Sequence, residues 1–177
     1  MIRESKAAIV FSRNFSRNCL SDLPRQANSL IAYGMNKAIK KTCKTEKDRE
    51  EMGRKLGCFN QFPKEIGDMY KELAKKYQRS IHLADSKQRI PSACCNFFQM
   101  MKDMLETGSG KCTKEEVEYL KFFMESFSGD VLDLLCGSLT LDSEKCRTLV
   151  LPHVNVTLGM PDNDSFFPAL IVLLNGL

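Results

Sequence analysis

The chain has 177 residues, 43% hydrophobic and 27% charged, enough for one folded core and too apolar for disorder. Twenty-six basic and 22 acidic side chains leave a net charge of +4, no field that would name a nucleic acid or a membrane as partner. Trp is absent and the two histidines are His82 and His153, so imidazole catalysis and metal ligation have little to draw on.

Residues 1–21 show no clear periodicity and read as a loosely ordered N-terminal arm. A helical, cysteine-rich domain is expected over 22–150, followed by a tail over 151–177. Leu23, Ala27, Leu30, Gly34 and Ala38 recur at helical spacing, and Lys40-Lys41 sit where a helix C-terminus favours cations, so a first helix should end near Thr42. Thr45 with Asp48 has the form of an N-cap for a charged second helix stopping near Gly57. Pro63 opens a third, with Ile66, Met69, Tyr70, Leu73, Tyr77 and Ile81 inward. Lys71, Lys75 and Arg79 form a basic ridge on it, diluted by Glu65, Asp68 and Glu72, which reads as a solvated face.

Pro91 is expected to start a fourth helix. Its Phe97, Phe98, Met101 and Met104 are either core or, since Met adapts to varied shapes, a face for an apolar ligand. Thr113 with Glu116 is a capping box for a fifth helix carrying Val117, Leu120, Phe123, Met124 and Phe127. Ser128-Gly129-Asp130 is expected to restart the chain as a sixth, and Ser143 to cap a short helix bearing Cys146. No alternating β-branched run appears before residue 150, so the predicted fold is all-α, a disulfide-stapled bundle of five to seven helices.

The eight cysteines are Cys19, Cys43, Cys58, Cys94, Cys95, Cys112, Cys136 and Cys146. They are even in number, spread along the chain and free of any C-x-x-C, which suits long-range disulfides in an oxidising compartment better than a zinc or redox site. Residues 46–57, if helical, would hold Cys43 and Cys58 roughly 20 Å apart, beyond disulfide reach. Cys94 and Cys95 point about 100° apart on one helix and should reach different elements, one of them the Cys43–Cys58 helix. Cys136 and Cys146, on either side of a loop with Gly137, are expected to pair with each other.

Compartment evidence is mixed. A secretory signal needs about 7–15 consecutive apolar residues. Ala7 to Phe11 supply five, so the natural N-terminus is expected to differ from the displayed one. Sequons at Asn14, Asn155 and Asn163 fit an extracellular glycoprotein. Phe166 to Leu177 is apolar almost throughout and is either a docked terminal segment or the removable tail of a glycosylphosphatidylinositol-type lipid-anchor signal.

No catalytic, cofactor or metal site is predicted. Secreted phospholipases A2 also contain adjacent cysteines, but there a His follows in the same helix, whereas here Cys94-Cys95 precede Asn96-Phe97-Phe98-Gln99. The run Met35 to Arg49, then Cys58, Cys94-Cys95, Cys112, Leu134-Leu135-Cys136-Gly137 and Cys146, resembles a group of secreted, cysteine-rich helical proteins of arachnids. These are loosely similar to insect haemolymph glycoproteins of the 27-kDa type. The likeness covers residues 35–147 and implies an extracellular helical module without an enzymatic role. The function expected is a binding or interaction module for an apolar small molecule or a protein partner. Nucleic acid is not expected as a partner, and a membrane only through the C-terminal anchor. Rival readings are a secreted hydrolytic or lytic enzyme with an unrecognised site, and a structural or storage protein of the haemolymph type.

Overall fold

The computed structural model describes residues 2–154 and 167–175. The described residues are helical, with no strand, and three disulfides cross-link them, so the protein is an all-α, disulfide-stapled bundle as its periodicity predicts. The helices are α1 (Ile2–Cys19), α2 (Asp22–Thr42), α3 (Glu46–Leu56), α4 (Pro63–Ile81), α5 (Arg89–Ser109), α6 (Lys114–Cys136), α7 (Glu144–Arg147) and α8 (Phe167–Asn175). Single 3-10 turns occupy Cys58–Gln61 and Ser86–Gln88. Two compact units emerge: residues 1–62 with 105–134, and residues 63–104 with 135–177.

In the first unit, residues 2–19 form helix α1 packed on α2, not the loose arm expected of 1–21. From residue 7 onward Ile9 and Ser16 are the buried positions of α1, and Ser12 donates to Asn28 Oδ1 at 2.8 Å. Asn28 Nδ2 returns a bond to the Ser12 carbonyl. Small Ala27, Ala32, Gly34 and Ala38 are buried along α2, which lets a neighbouring helix approach closely. Helix α3 begins with the expected cap: Thr45 Oγ1 accepts from Asp48 N, and the Asp48 carboxylate accepts from Thr45 N. Phe59 is buried beside the last turn of α5, where a Cβ added to Gly108 would lie 2.8 Å from its ring. Glycine is therefore the residue that fits at 108.

Helix α6 is a single helix, in contrast to the two expected with a restart at 128–130. Leu120, Met124, Ser128 and Val131 form one unbroken buried stripe. The Ser128 hydroxyl donates back to the Met124 carbonyl at 2.7 Å rather than capping a new helix, and Gly129 is tolerated within it.

In the second unit, α4 starts at Pro63 as predicted, and α5 starts at Arg89, taking Pro91 into its first turn, where the missing N–H has no helical partner to lose. Leu73, Tyr77, Cys94, Cys95, Phe97, Met100 and Met104 are buried here. Helix α8 packs against α4 and buries Ala169, Leu173 and Leu174, so the apolar tail is docked over its described part. No helix among the described residues is long and apolar enough to cross a membrane.

Candidate ligand cleft and cysteine framework

Residues 65, 68, 69, 72, 73 and 76 recur every three or four positions on α4 and so share one face. Asn96, Met100 and Asp103 do the same on α5. Together these nine residues line a cleft of about 230 Å³ in the second unit. Met69, Leu73 and Met100 give it an apolar floor, while Glu65, Asp68, Glu72 and Asp103 outnumber the one lining cation, Lys76.

The polar groups at its edge are partly engaged. Lys64 donates to Asp68 Oδ2 at 2.7 Å, which holds the Asp68 carboxyl below and the Lys64 ammonium above their usual values. Gln99 Nε2 donates to Asp103 Oδ1 at 2.7 Å. Asn96 is buried, and its amide nitrogen donates to the Ser92 carbonyl and hydroxyl. Behind it, the Ser80 and Ser92 hydroxyls lie 2.6 Å apart, and Ser80 donates to the Lys76 carbonyl, so a hydrogen-bond chain joins α5 to α4. Both serines are fully buried. Tyr77, also fully buried, has its phenol pushed up by desolvation and stays neutral.

Of the residues predicted as an apolar ligand face, Phe97 and Met104 are buried core and Phe98 and Met101 are half-buried; none lines the cleft. Phe97 and Met104 are therefore packing, and the cleft uses the neighbouring α5 face. Sequence reading placed Glu65, Asp68 and Glu72 on a solvated face of α4. The pairing of that face with Asn96, Met100 and Asp103 depends on how α5 lies against α4, which no local pattern encodes.

The cysteines partition unexpectedly. Cys58 bonds Cys112, Cys94 bonds Cys136 and Cys95 bonds Cys146. As predicted, Cys43 and Cys58 are not joined, and Cys94 and Cys95 reach different elements. Neither reaches the segment between Cys43 and Cys58, however, and Cys136 and Cys146 do not pair with each other. Gly137, at φ +56°, ends α6 in the left-handed region and turns the chain back, so Cys136 before the turn and Cys146 on α7 each meet one of the two adjacent cysteines of α5. Cys19 and Cys43 are free thiols, against the expectation that all eight pair. Helix α2 lies between them, and its 21 residues separate its ends by roughly 30 Å, too far for a disulfide.

Cys58, Cys112 and Glu116 are the one metal-like cluster among the described residues. Its sulfurs are spent in a disulfide, and Glu116 Oε2 accepts from both Thr113 N and Thr113 Oγ1 at 2.8 Å, completing the predicted capping box of α6. Nothing in that donor set is available to hold a metal. Asn14 is exposed within α1, while Asn155 and Asn163 lie outside the described residues. No protein-family model, curated protein or solved structure matches the chain.

Proposed function

We propose that the protein is an extracellular, non-enzymatic binding module whose α4–α5 cleft takes a small organic cation with a hydrocarbon body. The observation that carries this reading is the cleft itself. Met69, Leu73 and Met100 can desolvate an apolar body, while Glu72 and Asp103, beside an Asp68 already paired with Lys64, favour a positive head. A volume of about 230 Å³ falls below the roughly 300–1,000 Å³ of drug-sized pockets, so the ligand is small. The three disulfides support an oxidising compartment, and the sequons and the resemblance to secreted arachnid proteins agree with it.

The test is methyl NMR of isotopically labelled methionine in the full chain, titrated with phenethylamine and, separately, with its neutral analogue 2-phenylethanol. The amine is expected to shift the Met69 and Met100 methyl signals saturably and the alcohol to act at least about tenfold more weakly. Glu72→Gln with Asp103→Asn should remove that preference while leaving the methionine spectrum of the free protein folded. Equal responses to amine and alcohol, or none at Met69 and Met100, would overturn the reading.

A further inference from the structure

The net charge of +4 is unevenly distributed. Residues 1–44, which cover α1 and α2, hold nine basic and two acidic side chains; the other 133 hold 17 basic and 20 acidic. The same hairpin exposes large apolar side chains. On α1, Phe11 is 73% exposed, Val10 58% and Phe15 44%. At 100° per residue, Phe11 points roughly 160° away from buried Ile9, and Phe15 follows one turn later on the same outward side. Arg17, in the last turn of α1, is also exposed. On α2, Tyr33, Asn36, Lys37, Lys40 and Lys41 surround a depression of about 370 Å³. Of the two acids, Asp22 is paired with Arg25. Whole-chain charge, from which no direct membrane contact was expected, conceals this concentration.

We infer that the α1–α2 hairpin docks on an anionic lipid surface, with Val10, Phe11 and Phe15 of α1 entering the headgroup–acyl boundary and the hairpin's cations meeting lipid phosphates. Exposed apolar residues on a hairpin with a strong excess of basic side chains suit an interfacial element, since hydrocarbon burial and headgroup attraction then add. A second copy of the chain is disfavoured as occupant. An isologous dimer through this face would set a hairpin with nine basic and two acidic residues against its own duplicate.

The absence of Trp makes the experiment direct, because Phe11→Trp places a single fluorophore on the face. The full oxidised chain carrying this substitution is mixed with phosphatidylcholine vesicles, with or without phosphatidylglycerol, and emission and co-sedimentation are read. A blue shift and sedimentation are expected with the anionic vesicles only, falling as salt rises. In a chain otherwise wild type, Phe11→Ser with Phe15→Ser should weaken sedimentation about tenfold, and so should Lys37→Gln with Lys40→Gln. All four positions are exposed, and far-ultraviolet circular dichroism checks that both variants keep their helices. Binding that survives the serine pair would show pure charge attraction and overturn insertion. Failure to sediment, equal binding to neutral vesicles, or displacement from vesicles by a single-stranded oligonucleotide that quenches the Trp would overturn the lipid assignment. So would concentration-dependent dimerisation without vesicle binding.

Discussion

The two units hold themselves together by different means. The first sets small-residue contacts and helix caps beside a buried apolar group of Phe59, Phe62, Leu120 and Met124: α1 meets α2 through Ser12, Asn28 and a run of buried alanines, and α3 and α6 each begin with a complete capping box. One disulfide, Cys58–Cys112, belongs to it. The second unit buries Leu73, Tyr77, Leu173 and Leu174, encloses a serine chain and carries two disulfides from adjacent cysteines. Both units bury large apolar side chains, and what separates them is the cross-linking: with two nearly coextensive disulfides, the second should be the less dependent on any single link.

Removing cross-links tests this most severely. Cys58 and Cys112 close a ring with a sequence separation of 54, worth about 4 kcal/mol if disulfides act by restricting the unfolded chain. Cys94–Cys136 closes a ring of similar size, with a separation of 42, but Cys95–Cys146 closes nearly the same one. Losing the former alone frees mainly the stretch from 136 to 146, worth about 3 kcal/mol. Urea unfolding of Cys58→Ser/Cys112→Ser against Cys94→Ser/Cys136→Ser should therefore show the larger loss for the first pair. The reverse order would mean that redundancy between adjacent cysteines does not protect the second unit.

A gentler comparison uses one buried serine from each unit. Ser80 sits between the Ser92 hydroxyl and the Lys76 carbonyl, so Ser80→Ala leaves the buried Ser92 hydroxyl, to which Asn96 still donates, without its acceptor and should cost about 1–2 kcal/mol. Ser16 donates only to the Arg13 carbonyl of its own helix. Ser16→Ala strands no partner and raises helix propensity, so its effect should stay within about 0.5 kcal/mol. Thermal melts of the two variants decide the matter, and similar losses would show that the serine chain adds nothing.

Legibility follows the same division. Helices α2, α3 and α4 could be read because apolar spacing, the Thr45 cap and Pro63 all act within a few residues. The first helix is hard to read because, from residue 7 onward, its buried positions are Ile9 and Ser16 with half-buried Ser12 and Arg13, which make no apolar stripe. At 128–130 a serine and a glycine imitate a helix boundary, yet the inward stripe of α6 runs through them. Disulfide partners were legible only as exclusions. A straight helix fixes what Cys43 cannot reach, whereas the pairing of Cys94 and Cys95 depends on the direction the chain takes after Gly137. The cleft was invisible for the same reason: each helix shows its face, but only packing shows which faces meet.

The smallest effect concerns acid and the two capping boxes, both of which lie in the first unit. Hydrogen bonds from the Thr45 hydroxyl and backbone hold the Asp48 carboxyl below its usual 3.8, and those from the Thr113 backbone and hydroxyl hold Glu116 below 4.5. A carboxyl whose folded value is depressed contributes stability that is complete above its unfolded value and lost as pH falls through the folded one. Both caps should thus be intact at neutral pH and weaken as pH falls below about 4.5. Thr113→Ala should cost about 1 kcal/mol at pH 7, and less at pH 2, where the carboxylate it served is protonated. Glu116→Gln separates charge from hydrogen bonding: its amide oxygen can still accept from Thr113, so stability at pH 7 should fall only slightly and its acid dependence should flatten. Urea midpoints at pH 7 and pH 2 for wild type and both variants test this. A Thr113→Ala loss that does not shrink in acid would show that the cap acts without the charge of Glu116.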